Sequence, residues 1–101
     1  ATDSVRTRPP SATLYFPNSF TPDGDGFNDT FGGTGLLIDQ YELIIFDRWG
    51  AIAFESHDLN VRWDGRIKGE EAPIGVYPYR YRAMGLKMPL HQGFGHVTLI
   101  R

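Results

Sequence analysis

Cysteine is absent from the 101 residues of the chain, which excludes disulfides, thiolate metal sites and cysteine nucleophiles. The chain also lacks a basic excess, since ten Lys and Arg residues stand against twelve Asp and Glu, and nucleic-acid binding is therefore not expected. No apolar run approaches the roughly 20 residues that cross a bilayer. The polar start, ATDSVRTRPP, has no signal-peptide core. We expect no membrane span, and either a cytoplasmic domain or a piece of a longer exported chain.

Aromatic residues, glycine and proline are abundant instead. Aromatics make up 14% of the chain, with 12 Gly and 7 Pro, a composition that favours strands and turns over long helices. Residues 1–11 are polar, contain Pro9-Pro10 and show no periodicity, which predicts an extended linker. The remainder, residues 12–101, is one domain's length.

Two segments carry the clearest strand patterns. Residues 41–47, YELIIFD, are apolar on both faces, which predicts a central strand. Asp47-Arg48-Trp49-Gly50 suits a type I turn whose glycine takes a positive φ, so residues 41–56 should form a hairpin. Residues 76–83 alternate between Tyr and more polar positions, as in a half-exposed strand, and Pro78 should shift that strand to a sheet edge or a bulge.

The end of the chain and the strand count complete the fold prediction. Residues 85–93 are expected to be a loop and residues 94–101 the last strand, with Val97 and Leu99 on one face and sheet partners on each side. Six or seven short strands without a helical period predict an antiparallel β-sandwich.

The sequence pattern does not indicate a catalytic site. The three histidines are His57, His91 and His96, and nothing in the sequence places any of them beside a serine as a nucleophile and its base require. The pair Glu70-Glu71 lies in a predicted loop, where neighbouring charges are usually solvated. We therefore expect a protein that is not an enzyme.

An acidic loop, TPDGDGFND over residues 21–29, offers the most specific chemistry. Asp23, Asp25 and Asp29 alternate with glycines, and calcium is bound by several such oxygens around a glycine turn. The loop echoes part of an EF-hand, but its first and last ligands would be Thr21 and Gly32, which do not supply the usual carboxylates. Two interpretations remain: a calcium site, or a loop held by its own Asx-turns.

Exposed aromatic and basic side chains could form a binding surface. Trp49 and Trp63 could stack on sugars, or Trp49 could cap the hairpin while Trp63 fills one end of the sandwich. Arg80 and Arg82 project from one strand face as a docking stripe or as a solvated face. Arg101 is expected to be an exposed charge that a partner could read.

Five stretches together resemble the gliding motility-associated C-terminal domain family, the type B sorting domains of the type IX secretion system. They are FPNSFTPDGDGFNDTF at 16–31, YELIIFDRWGAIAFES at 41–56, WDG at 63–65, GVYPYRY at 75–81 and GHVTLIR at 95–101. The resemblance covers about residues 14–101. The motif positions that carry it are Gly24, Gly26, Asn28, Arg48, Gly50, Trp63, Asp64 and Gly65.

The resemblance implies a non-catalytic, monomeric sorting domain at the end of a large exported protein of Bacteroidota. Such domains pass through the periplasm and direct their cargo through the outer-membrane translocon to the cell surface or medium. Type B domains are associated with an outer-membrane partner of the PorP/SprF family. By analogy with the separate type A domains, the resemblance implies an immunoglobulin-like sandwich of about seven strands. The alternative is a cell-surface adhesion or carbohydrate-binding module with the same fold.

Overall fold

The computed structural model describes residues 11–24 and 29–101, so the predicted linker lies outside the described residues except for Ser11. The described part is all-β and contains nine strands and no helix, hence none long or apolar enough to cross a membrane. The strands are β1 Thr13–Tyr15, β2 Ser19–Phe20, β3 Thr34–Leu36, β4 Ile38–Phe46, β5 Ile52–Ser56, β6 Arg66–Ile67, β7 Glu70–Glu71, β8 Gly75–Gly85 and β9 Met88–Leu99. The count exceeds the predicted seven because three of these strands are only two residues long.

One five-stranded sheet organises the molecule, in the order β2-β9-β8-β4-β5. Its pairings are antiparallel except for the short parallel contact between β2 and β9. Two small antiparallel pairs, β1 with β3 and β6 with β7, lie outside this sheet. The predicted all-β, sandwich-like fold is confirmed.

The core lies on one face of the five-stranded sheet. Leu43 and Ile45 of β4 are fully buried there, beside the inward side chains of β8 and β9. Rings from the remaining segments cover this face: Phe31 packs on Tyr79 at 5.1 Å between ring centres, and Trp63 packs on Tyr77, also at 5.1 Å. Aromatic pairs at such distances stabilise the core beyond the area that they bury, so the many aromatics of the sequence fill the space between sheet and loops.

The hairpin predicted over residues 41–56 is confirmed. Strands β4 and β5 pair antiparallel, with Ile45 opposite Phe54, and β4 also pairs with β8 on its other side. It is therefore an interior strand, as its two apolar faces indicated. Ile44 points away from the core yet is only 6% exposed.

The loop predicted over residues 85–93 is wrong, because β8 and β9 form one long hairpin with a two-residue turn. Glycine has another purpose in β9, which Gly95, two residues after the predicted loop, illustrates. Gly95 lies opposite Tyr79 in the register, and a Cβ on Gly95 would come within 2.5 Å of the Tyr79 ring. Glycine is needed there because a buried aromatic ring occupies the space of a side chain.

The edge or bulge expected at Pro78 is also wrong. Strand β8 lies inside the sheet, and none of its register shifts falls at Pro78. Pairing with β4 ends at Ile45 opposite Tyr79, so Pro78 has a paired neighbour on one side only, at His96. A residue without an N–H fits at this point because the ladder towards β4 has already ended.

The expected buried face and sheet partners of the last strand are confirmed, but the strand runs over Met88–Leu99 instead of residues 94–101. Val97 and Leu99 are 0% and 1% exposed, and β9 pairs with β8 on one side and with β2 on the other. Its second face is open, since Phe94 is 82% exposed. Apolar residues on both faces of β9 therefore reflect one core face and one accessible apolar surface.

Candidate recognition surface

The turn between β4 and β5 holds Trp49 in solvent. One Asp47 carboxylate oxygen accepts the N–H groups of Trp49 and Ala51, both at 2.9 Å, and Gly50 takes a φ of +84°. Trp49 is 82% exposed, and the Arg48 guanidinium carbon lies 5.5 Å from its ring centre. A closed turn that presents a large ring beside a cation is suited to recognition, because aromatic and Arg side chains dominate the energetics of binding surfaces.

A cavity of about 240 Å³ opens beside the Trp49 ring, between the turn and the start of β8. Tyr77 lines it, and the Tyr77 hydroxyl donates a hydrogen bond to the Pro73 carbonyl. Burial raises the pKa of Tyr77, partly opposed by the positive charges of Arg48 and Arg101. The phenol is therefore neutral at physiological pH, and the cavity combines an aromatic wall with polar groups.

The outer face of the five-stranded sheet carries the predicted arginines. Arg80 and Arg82 are exposed, and Arg80 stands opposite Phe94 on β9 and Ile44 on β4. Phe94 was not among the candidate surface residues of the sequence analysis, and it is 82% exposed. The face thus combines two guanidinium groups with an exposed ring.

Arg101 is exposed as a whole residue, as the sequence predicted, but its charged group is bound to the protein. Its side chain is only 24% exposed, and its guanidinium donates to the carbonyls of Ala72 at 2.6 Å and Gly65 at 3.1 Å. The Glu71 carboxylate lies 3.8 Å from Arg101 Nε. The residues after β9 therefore form a clasp onto Gly65 and Ala72, which flank the β6–β7 pair, and this gives Arg101 a structural role.

The acidic loop is described only in part, because Asp25, Gly26 and Asn28 lie outside the described residues. Gly24 has a φ of +81°, and its N–H donates to Asp29 Oδ1 at 2.9 Å, a side-chain-to-backbone bond of the kind that stabilises polar loops. Asp23 and Asp29 share a cavity of about 440 Å³ with Arg66 and Arg101. Carboxylates and guanidinium groups thus face one space, and this geometry is compatible with both interpretations of the loop.

Trp63 and its turn form part of the core. Trp63 is 0% exposed, its indole N–H donates to the Arg66 carbonyl at 2.9 Å, and its backbone bridges to Phe31. Asp64 accepts the Arg66 N–H at 3.0 Å, and Gly65 has a φ of +82°. A fully buried indole is not available to a sugar, so of the two tryptophans only Trp49 remains a candidate for stacking.

Sequence reasoning also missed a group of possible metal ligands on the outer face. Glu42, Glu55 and His57 each offer one donor atom within 4.8 Å of the others, and His57 Nε2 lies 3.0 Å from Glu55 Oε2. Glu55 and His57 are two residues apart at the end of β5, and the pairing of β4 with β5 brings Glu42 close to them. Within residues 11–24 and 29–101, no other set of three such side chains is this close.

A comparison with family models gives a match. A family model described as the CHU_C type IX secretion signal domain matches residues 14–97. No curated protein and no solved structure matches the chain. The matched range runs from β1 to the fully buried Val97, so it includes all of the core except Leu99, together with the Trp49 turn and the acidic loop.

Proposed function

The chain belongs to the CHU_C family of type IX secretion signal domains, and from this membership we propose that it carries a large cargo protein through the outer membrane. The cargo would cross the periplasm and reach the cell surface or the medium. The domain itself would be a non-catalytic, folded address. Residues 12–101 would form the address and residues 1–11 the linker to the preceding cargo.

The match over residues 14–97 is the observation that carries this proposal. The partners would be the type IX translocon and an outer-membrane protein of the PorP/SprF family, as the sequence resemblance implies. Trp49 at its turn and the Arg80 and Arg82 pair are the side chains offered for recognition, since all three are exposed. Arg101 would contribute through the stability of the fold.

Fusion of residues 1–101 to the C-terminus of a periplasmic reporter tests the proposal. In a host with this secretion system and the matching partner, the reporter should appear at the surface or in the medium. A host lacking the translocon serves as the control. A folded fusion protein that stays in the periplasm of the competent host would refute the sorting function.

A matched pair of variants tests Trp49 within the same assay. Trp49→Ser removes a ring that is 82% exposed, while Ile52→Ser removes an apolar side chain that is 56% exposed on the same hairpin. If Trp49 is an anchor, its loss should lower export about tenfold or more, the size of a binding hot spot. Equal export of the two variants would remove Trp49 from the recognition surface.

A carbohydrate-binding or adhesion module is the second candidate, and the exposed Trp49 ring beside its cavity favours it. Aromatic rings at exposed positions stack on sugar faces. Titration of the domain with a panel of soluble oligosaccharides, followed by tryptophan fluorescence, tests this function. Because the other tryptophan is fully buried, a sugar-dependent change would report on Trp49, and Trp49→Ser should abolish it.

A further inference from the structure

The outer face of the five-stranded sheet carries three side chains whose donor atoms lie close enough together to hold a metal ion. Glu42, Glu55 and His57 each offer one oxygen or nitrogen atom, and these atoms lie within 4.8 Å of one another. We call this group the Glu-Glu-His site. The proposed sorting function uses none of its three residues, so the arrangement calls for an explanation of its own.

Strand pairing explains why the three side chains meet. Glu42 precedes the fully buried Leu43 on β4, and successive strand residues point to opposite faces, so Glu42 lies on the outer face. Leu43 pairs with Ser56 of β5, and Glu42 and His57 therefore occupy the next position of the same antiparallel pair. Strand β5 is at the edge of the sheet and ends at Ser56, so the site joins the end of an edge strand to an interior strand.

Glu42 supplies a second observation, because its carboxylate is not engaged by the cation nearest to it in the register. Arg82 stands directly opposite Glu42 on β8, where a cross-strand ion pair would be stabilising. Within residues 11–24 and 29–101, no hydrogen bond or ion pair joins Glu42 to Arg82 or to any other side chain. The half-buried Glu42 instead lies beside a second carboxylate, which is unfavourable unless a cation neutralises the two.

The chemistry of the donors favours zinc over calcium and magnesium. Calcium and magnesium take oxygen ligands, whereas an imidazole nitrogen combined with carboxylate oxygens is typical of zinc. Two donors on one tetrahedral zinc ion lie roughly 3.4 Å apart. His57 Nε2 and Glu55 Oε2 are 3.0 Å apart, and no pair of donors in the site is more than 4.8 Å apart. Both side chains are exposed, so small rotations can bring them to the required spacing.

The surroundings of the site leave room for the ion and for water. A cavity of about 270 Å³ opens on this face, with Glu42, His57 and Arg82 among its lining residues. Three protein ligands leave the fourth tetrahedral position to a water molecule. The positive charge of Arg82 in the same cavity opposes cation binding, so we expect a weaker affinity than that of a closed site with four protein ligands.

We propose that Glu42, Glu55 and His57 bind one zinc ion, with water completing its coordination. The bound ion fastens the end of β5 to β4 at the edge of the sheet. Because a ligand that binds the native state alone raises stability, zinc stabilises the folded domain. The inference concerns the isolated domain and does not depend on the proposed sorting function.

Calorimetric titration of residues 1–101 with zinc chloride, without an affinity tag that binds metal, tests the inference. One zinc ion should bind per chain, and the melting temperature should rise with zinc and return to its starting value in chelator. Glu42→Gln and His57→Ala should each weaken zinc binding about tenfold or more, since each removes a ligand. His96→Ala removes another exposed histidine of β9, and as the matched control it should leave the affinity for zinc unchanged.

Melting in chelator distinguishes a metal ligand from a residue that only stabilises the fold. Glu42→Gln should then melt at or above the wild-type temperature, because it removes a negative charge next to Glu55. A lower melting temperature of this variant would overturn the assignment of Glu42 as a ligand. Absence of zinc binding to the wild-type chain would overturn the inference, as would wild-type affinity in both Glu42→Gln and His57→Ala. Neither result changes the expectation for export.

Discussion

Removal of the Arg101 side chain should destabilise the domain measurably, although a change at an exposed chain end would ordinarily have little effect. The guanidinium donates to the carbonyls of Ala72 and Gly65 and is largely shielded, with 24% of the side chain exposed. The Gly65 carbonyl keeps a second partner, the Ala72 N–H at 2.8 Å. Arg101→Ala therefore leaves one half-buried acceptor without its bond.

The expected loss follows from that count. Hydrogen bonds from charged donors contribute about 1.5–3 kcal/mol to stability. Loss of the bond to Ala72, together with the weaker bond to Gly65, should therefore lower the free energy of unfolding by about 2 kcal/mol. For a domain of this size that corresponds to a fall of about 10 °C in the melting temperature. Thermal denaturation followed by circular dichroism measures the fall, and urea denaturation gives the free energy.

Two further variants distinguish the contribution of the Arg101 hydrogen bonds to stability from that of its positive charge. Arg101→Lys keeps the charge but cannot donate to both carbonyls in a fork, so it should recover only part of the loss. Glu71→Gln removes a carboxylate that is 69% exposed and 3.8 Å away, and surface ion pairs of this kind contribute little. A melting temperature of Arg101→Ala within about 2 °C of wild type would refute the clasp.

Three other predictions concern the core, the pH dependence and the acidic loop. Gly95→Ala should lower the free energy of unfolding by about 1–3 kcal/mol, since its Cβ would lie 2.5 Å from the buried Tyr79 ring. Gly93→Ala, whose Cβ would have its nearest contact at 3.0 Å, should lower it less. Urea denaturation measures both. Burial raises the pKa of three tyrosines above the usual 10; they are Tyr41, Tyr77 and Tyr79. The unfolded chain loses these protons first, so stability should be fully present below about pH 10 and fall as the pH rises further; absorbance at alkaline pH should show tyrosinate appearing with unfolding. If the carboxylates of the loop at 21–29 bind calcium, a hundredfold excess over Kd should add roughly 2.7 kcal/mol, and identical melting temperatures in calcium and in chelator would leave the Asx-turn interpretation.

Local patterns predicted those elements whose side chains alternate. The hairpin over residues 41–56 could be predicted because its turn sequence and its apolar positions lie next to each other in the chain. The 85–93 segment could not, because its glycines indicate a turn unless one knows that Gly93 lies opposite Tyr81 in β8. The same limit applied to Pro78, whose tolerance depends on where the neighbouring strand ends.

The candidate recognition residues show the same difference between local and long-range information. The exposed Trp49 was a candidate because its turn is local, and the family motifs were legible as a linear pattern. The group of Glu42, Glu55 and His57 was missed, because the pairing of β4 with β5 is what brings Glu42 close to the other two.

The sequence by itself determined the all-β class, the central hairpin, the buried face of the last strand and membership of a secretion signal family. Strand periodicity and turn chemistry act over a few residues, so they are written in the linear order of the chain. Only the tertiary structure decided that Arg101 binds two backbone carbonyls, that Trp63 is in the core and that Phe94 is exposed. Whether a side chain is buried depends on the residues that pack against it from other strands. The register of those strands is set by the fold as a whole.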